Sequence, residues 1–162
     1  MKRLLSLLIV TAVAAAGCGA SEDEPEASPA AVVAGWAEAV ELRDFDGATD
    51  AVFEPSLVII LAAENGLPAS DTAGMLNDGI TPAAAAAYWS SFRDGFDAFA
   101  GRPISTLNVG GATEIEAGGE VWAKVPVSVQ ETASAPAFTR SVDGWAVDMV
   151  ATLAPGFVEP LL

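Results

Sequence analysis

The hydrophobic period of this 162-residue chain changes once, at Gly101–Pro103. Upstream, apolar residues recur at helical spacing. In Pro82–Ala100, Ala85, Trp89, Phe92, Phe96 and Phe99 follow one another at steps of four, three, four and three, which places all five on one side of a helix. Thr81-Pro82 opens that helix with a side-chain acceptor and a proline whose missing N–H is not needed in the first turn, and Gly101 closes it. Downstream the period is two. Val121, Ala123, Val125, Val127 and Val129 take the odd positions, with Trp122, Lys124, Ser128 and Gln130 between them. Helices first and antiparallel strands afterwards define an α+β fold. The aromatic stripe and the apolar sheet face each need a cover, and each is expected to bury the other, at about 2–3 kcal/mol per aromatic side chain.

The remaining elements follow from the same signals. Ser28-Pro29 starts a first helix with Val33, Trp36, Ala37 and Val40 on its inner face. Asp46 is expected to cap a second helix from Gly47 to Phe53, ended by Pro55. Leu57–Ala63 fits a buried helix or a buried strand, and Ala62, Ala63 and Glu64 tilt it to helix. A short helix capped by Ser70 is expected before Ile80. Arg93 and Asp97, four apart, are placed to pair on the outer face of the long helix. In the strand half, Leu107 and Val109 alternate, Gly110-Gly111 suggests a bulge, Ile115 resumes the pattern and Gly118-Gly119 turns the chain. Pro126 argues for an edge position or a bulge. Glu131–Pro136 reads as a loop, and Phe138, Arg140 and Val142 as a short strand. Asp143-Gly144 reads as a hairpin turn, and Trp145–Leu153 as the last strand, with Asp148 and Thr152 on its outer face.

The first eighteen residues, MKRLLSLLIVTAVAAAGC, form a separate unit. Lys2 and Arg3 precede an uncharged apolar run, Leu4–Ala16, and small residues close it. This is the layout of a secretory signal. The run is 13 residues long, short of the roughly 20 needed to span a bilayer. Ala15-Ala16-Gly17-Cys18 resembles the lipobox of bacterial lipoproteins, with Ala15 where a Leu is usual. That resemblance implies cleavage before Cys18 and lipidation of its sulfur. The expected organisation is then a signal peptide over 1–17, a lipidated Cys18 with an acidic tether over 18–27, and one domain over 28–162. The tether, with Glu22, Asp23, Glu24 and Glu26 around Pro25, has too little apolar surface to fold. The expected location is the extracytoplasmic face of the cell membrane, with lipid chains on Cys18 as the anchor.

Composition excludes several chemistries. The chain has 7 basic and 22 acidic residues, a formal charge of −15, and loss of Lys2 and Arg3 makes it −17. Such a surface repels nucleic acid and anionic headgroups. There is no histidine and a single cysteine, Cys18. The commonest general base, every serine–histidine triad and the usual zinc sites are therefore ruled out. The acidic groups Glu22–Glu26 and Glu114, Glu116 and Glu120 lack calcium-loop spacing, and Asp44–Gly47 is only a fragment of one. Neither glycine pair precedes a helix, so no phosphate loop is indicated. We expect no metal and no cofactor.

The order of elements over Ser28–Leu153 resembles the superfamily of nuclear transport factor two and ketosteroid isomerase. The likeness rests on Val142–Asp148, a hairpin followed by Trp145 and an alternating strand, and on Arg43–Asp46 after the opening helix. The chain is also similar to small acidic lipoproteins of actinobacteria. The superfamily resemblance implies N-terminal helices wrapped by a strongly curved, cone-like, cystatin-like antiparallel sheet. Its members include enzymes, carriers of small apolar ligands and interaction modules, so fold does not choose among them. Isomerase-type members use a pocket Asp and a Tyr, which raises Tyr88 and Asp148 as a candidate pair. No motif joins them, and no catalytic residue is assigned. Tyr88, beside the aromatic stripe, and Trp122, on the polar face of its strand, are the candidates for a ligand or partner surface. The expectation is a non-enzymatic domain that binds a small apolar ligand or an envelope partner. The alternatives are a docking module for a membrane protein, or a carboxylate-based isomerase or hydrolase.

Overall fold

The computed structural model describes residues 27–130 and 133–158. Five helices come first: α1 (Pro29–Leu42), α2 (Phe45–Asp50), α3 (Glu54–Asn65), α4 (Ala69–Asp78) and α5 (Pro82–Ala100). After a 3-10 turn at Ile104–Thr106 come β1 (Asn108–Val109), β2 (Thr113–Ala117), β3 (Glu120–Gln130), β4 (Ala133–Ser141) and β5 (Trp145–Val147). Two short helices, α6 (Met149–Leu153) and α7 (Pro155–Val158), follow them. The strands form one curved antiparallel half-barrel, and the helices pack on it, as expected for an α+β chain. Among the described residues no helix is long and apolar enough to cross a membrane. The signal and tether, residues 1–26, lie outside the described residues.

Both proline-opened helices form as read. The Ser28 and Thr81 hydroxyls each accept from a backbone N–H three residues on, at 3.3 Å. Val33, Trp36, Ala37 and Val40 of α1 are all buried. Leu57–Ala63 is helical, inside α3. Three local expectations are corrected. Asp44, rather than Asp46, caps α2, its carboxylate accepting from Gly47 N–H at 3.0 Å. Pro55 opens α3 instead of ending α2, since it sits in the first turn, where no N–H is required. Ser70 lies inside the first turn of α4 and bonds Asp71, and Pro68 occupies the cap position.

The sheet order is β1-β3-β4-β5, with β2 beside β1 on the same flank of β3. Val109 opposes Val127 and Thr113 opposes Lys124, so three residues, 110–112, face two, 125–126. That is the bulge expected at Gly110-Gly111, and a one-residue excess moves the following side chains to the other face. Val109 therefore packs with Val127 on the helix side, whereas Ile115 opposes Trp122 on the outer side. Pro126 is on an interior strand, not at an edge. It opposes Pro136 of β4, and its carbonyl accepts from Gly110 N–H at 2.8 Å. Its donor-less nitrogen thus faces the break between β1 and β2, where no ladder bond is lost. Gly118 and Gly119, both at positive φ, make the two-residue turn between β2 and β3.

β4 begins at Ala133, so most of the expected 131–136 loop is strand; residues 131 and 132 lie outside the description. The last strand is shorter than read. Pairing stops at Val147, and Asp148 caps α6 by accepting from Ala151 N–H at 2.9 Å. Asp148 N–H donates to the Phe138 carbonyl at 2.8 Å, and the Thr152 hydroxyl accepts from Phe138 N–H at 3.0 Å. The helical turn thus satisfies the edge of β4 that a longer strand would have covered.

The main core lies between α1, α2, α3, α5 and the inner sheet face, around Trp36, Trp89, Leu57, Val125 and Val147. Trp89 donates its indole N–H to the Thr49 hydroxyl at 2.9 Å. A second cluster, Trp122, Phe138 and Ala151 with Ile115 and Ala117, occupies the outer face.

Candidate functional site

The aromatic stripe of α5 is only half used in the core. Ala85 and Trp89 are buried, Phe92 and Phe96 are half-buried, and Phe99 is 90% exposed. Tyr88 is more buried than the stripe predicted, at 6% exposure. The reason is a space. Beyond Trp89 the helix faces Val127 and Val129 of β3 and Ala135–Ala137 of β4 across a cavity of about 650 Å³. Ile104 and Leu107 also line it, as do Thr152 and Leu153 of α6. Gly95, Ala135 and Ala137 put little bulk on the wall, and a Cβ built on Gly95 would meet nothing within 4 Å. The volume is within the range of roughly 300–1,000 Å³ of small-molecule sites.

The wall is mainly apolar and aromatic. Trp36 and Phe92 have ring centroids 5.7 Å apart, and Tyr88 stacks on Phe92 at 6.0 Å and 25°. Among the described residues, four that line it carry polar side-chain groups besides the Trp36 indole: Glu64, Tyr88, Ser91 and Thr152. Thr152 is committed to Phe138 N–H. The Tyr88 hydroxyl and the Trp36 indole N–H are sealed from solvent and have no hydrogen-bond partner among the described residues. Burial, reinforced by the Glu64 carboxylate, pushes the Tyr88 hydroxyl well above its ordinary range, so it stays protonated and neutral. Among the described residues Glu64 is the one charged group on the wall, and no lysine or arginine lines it.

Of the sequence candidates, Tyr88 lines this cavity. Trp122 does not. It is 8% exposed on the opposite sheet face, under the guanidinium of Arg140, whose Cζ lies 4.3 Å from the ring centroids of both Trp122 and Phe53. Arg140 also bonds Glu120, and its Nε lies 3.9 Å from the Asp148 carboxylate. Asp148 is therefore grouped with Arg140, Trp122 and Phe53, and it is not brought to Tyr88. Burial raises the Asp148 carboxyl above its ordinary range, opposed by the Ala151 N–H and by Arg140. Arg93 pairs with Glu41 of α1 at 2.9 Å, closer than Asp97 at 3.9 Å. Glu114, Glu116 and Glu120 join no group of three or more possible metal ligands among the described residues. Cys18 lies outside them.

Sequence reasoning missed Glu64 and Gly95 as wall residues. Glu64 reads as a polar residue at a helix end, and Gly95 as an interruption of a helix. Neither signal points to a cavity. No family model matches the chain, and neither the curated proteins nor the solved structures contain a significant match.

Proposed function

We propose that this chain is a lipid-anchored extracytoplasmic protein whose domain holds a small apolar ligand between α5 and the inner sheet face, without catalysing a reaction on it. The observation that carries this reading is the apolar cavity of about 650 Å³, walled by Phe92, Phe96 and Val127. Its volume and lining suit a compact hydrophobic molecule. Among the described residues the wall offers no nucleophile paired with a base, and its tyrosine is held neutral. The lipobox-like Ala15–Cys18 supports the anchor, and the resemblance to a superfamily that includes carriers of small apolar ligands is consistent with the cavity's place in the fold.

The binding reading is tested with N-phenyl-1-naphthylamine, a neutral probe that fluoresces in apolar surroundings. Saturable one-site uptake by the folded protein is expected. Gly95→Phe should abolish it, because the new ring enters open space in the cavity while the helix keeps its geometry. A folded protein that takes up no probe, or undiminished uptake by folded Gly95→Phe, would overturn the reading. The anchor is tested separately by mass spectrometry of protein from the membrane fraction. Diacylglyceryl on Cys18 and loss of residues 1–17 are expected, and Cys18→Ser should release the domain from the membrane.

A further inference from the structure

Among the described residues the wall of the cavity carries one kind of charge: Glu64 is the one carboxylate on it, and no described basic side chain lines it. Arg102 donates to the carbonyl of the wall residue Val129 at 3.2 Å but is not itself part of the lining. Glu64 stands in the last turn of α3, whose residues end at Asn65. The negative end of that helix dipole therefore adds to its carboxylate. Its influence reaches the interior, since it contributes to keeping the Tyr88 hydroxyl protonated. Glu64 is solvent-exposed, so the charge sits where the cavity meets water and the apolar volume lies behind it. Trp36, Tyr88 and Phe92 line that volume and suit the hydrocarbon part of a ligand. The whole chain, at −15, draws cations and repels anions at longer range.

We propose that the ligand class of this cavity is an apolar monocation. Its hydrocarbon part lies against the α5 aromatics and its ammonium head sits at the Glu64 carboxylate. This rests on the cavity being a ligand site and adds the sign of the ligand's charge. A fatty-acid anion of the same size would bring its carboxylate to Glu64 and bind more weakly.

The test compares three probes with one tail: decyltrimethylammonium, decanol and decanoate. Each displaces N-phenyl-1-naphthylamine below its micelle concentration. The expected order of affinity is ammonium, alcohol, carboxylate. Glu64→Gln should weaken the ammonium by about three- to fivefold, the scale of one solvated ion pair. It should leave decanol within about twofold and strengthen decanoate, and the ammonium effect should shrink in high salt. Glu116→Gln, the same charge change on the exposed face of β2, should leave the order and the ammonium affinity in place. Decanoate binding as tightly as the ammonium would overturn the assignment, as would equal weakening of all three probes by Glu64→Gln. An effect of Glu116→Gln as large as that of Glu64→Gln would do the same. In those cases decanol still binds and the cavity reading stands. If neither the fluorescent probe nor any decyl compound binds the folded protein, both readings fall.

Discussion

Asp148 ends a strand, starts a helix and bears the cost of burial. Its carboxylate accepts from Ala151 N–H at 2.9 Å and lies 3.9 Å from Arg140, and burial still raises it above its ordinary range. A carboxyl raised on folding binds more protons in the folded than in the unfolded state. Its contribution to stability is complete below the unfolded value, about 4, and is lost as pH rises through the folded one. Asparagine caps a helix as well as aspartate does and has no charge to bury. Asp148→Asn should therefore be favoured increasingly over the native protein as pH rises from about 4 to 7, a trend read from thermal melts at several pH values. A difference in Tm that stays constant across that range would contradict it. The residue also shows why the sequence misled. Trp145, Val147, Met149, Ala151 and Leu153 alternate as a strand would, yet the Asp cap before Met149-Val150-Ala151 is an equally good helix start. Which one wins depends on Phe138, whose N–H and C=O need the partners that α6 supplies.

At the scale of elements, the ends of α1 and α5 were legible because their caps are local chemistry. Thr81→Ala removes the bond to Ala84 N–H and should cost about 1 kcal/mol in chemical denaturation, with probe binding intact. Gly95→Ala should act in the opposite direction. The glycine is inside α5 and its added methyl meets nothing within 4 Å, so a gain of about 0.5–1 kcal/mol is expected from helix propensity alone. The two variants separate the helix's own stability from its role as a wall. The facing of α5 was only partly legible. Its stripe fixes a direction, but Phe99, in the last turn, is 90% exposed, while Tyr88, off the stripe, is buried against Trp89 and Phe92. In the sheet, the glycine pairs announced the bulge and the turn. That Pro126 sits on an interior strand followed from pairing with Pro136 and Gly110, and both partners are distant choices that no local pattern specifies.

At the scale of the whole molecule, the order of periods sufficed for the fold class, because each apolar face had to find a cover. It did not reveal that the cover is incomplete. Period and composition tell which side chains turn inward, and they carry no information on how far apart two inward faces stand. Here the sheet is curved, and the small residues Gly95, Ala135 and Ala137 leave the space between α5 and the strands β3 and β4 unfilled beyond Trp89. Glu64 reaches that wall from a helix end remote in sequence from the strands.

The flank of β3 formed by β1 and β2 has a further consequence. Among the described residues no strand lies on the other side of β2, and two of its five residues, Glu114 and Glu116, are exposed acids. An unpaired row of amides is a template for a neighbour, and like charges brought face to face oppose its use. Molecules crowded together would meet that repulsion first along this rim. Replacing both acids by valine should leave the monomer folded and let molecules line up rim to rim, seen as light scattering that grows with protein concentration. The two glutamates would then be guardians of solitude, keeping each copy from being stitched to the next.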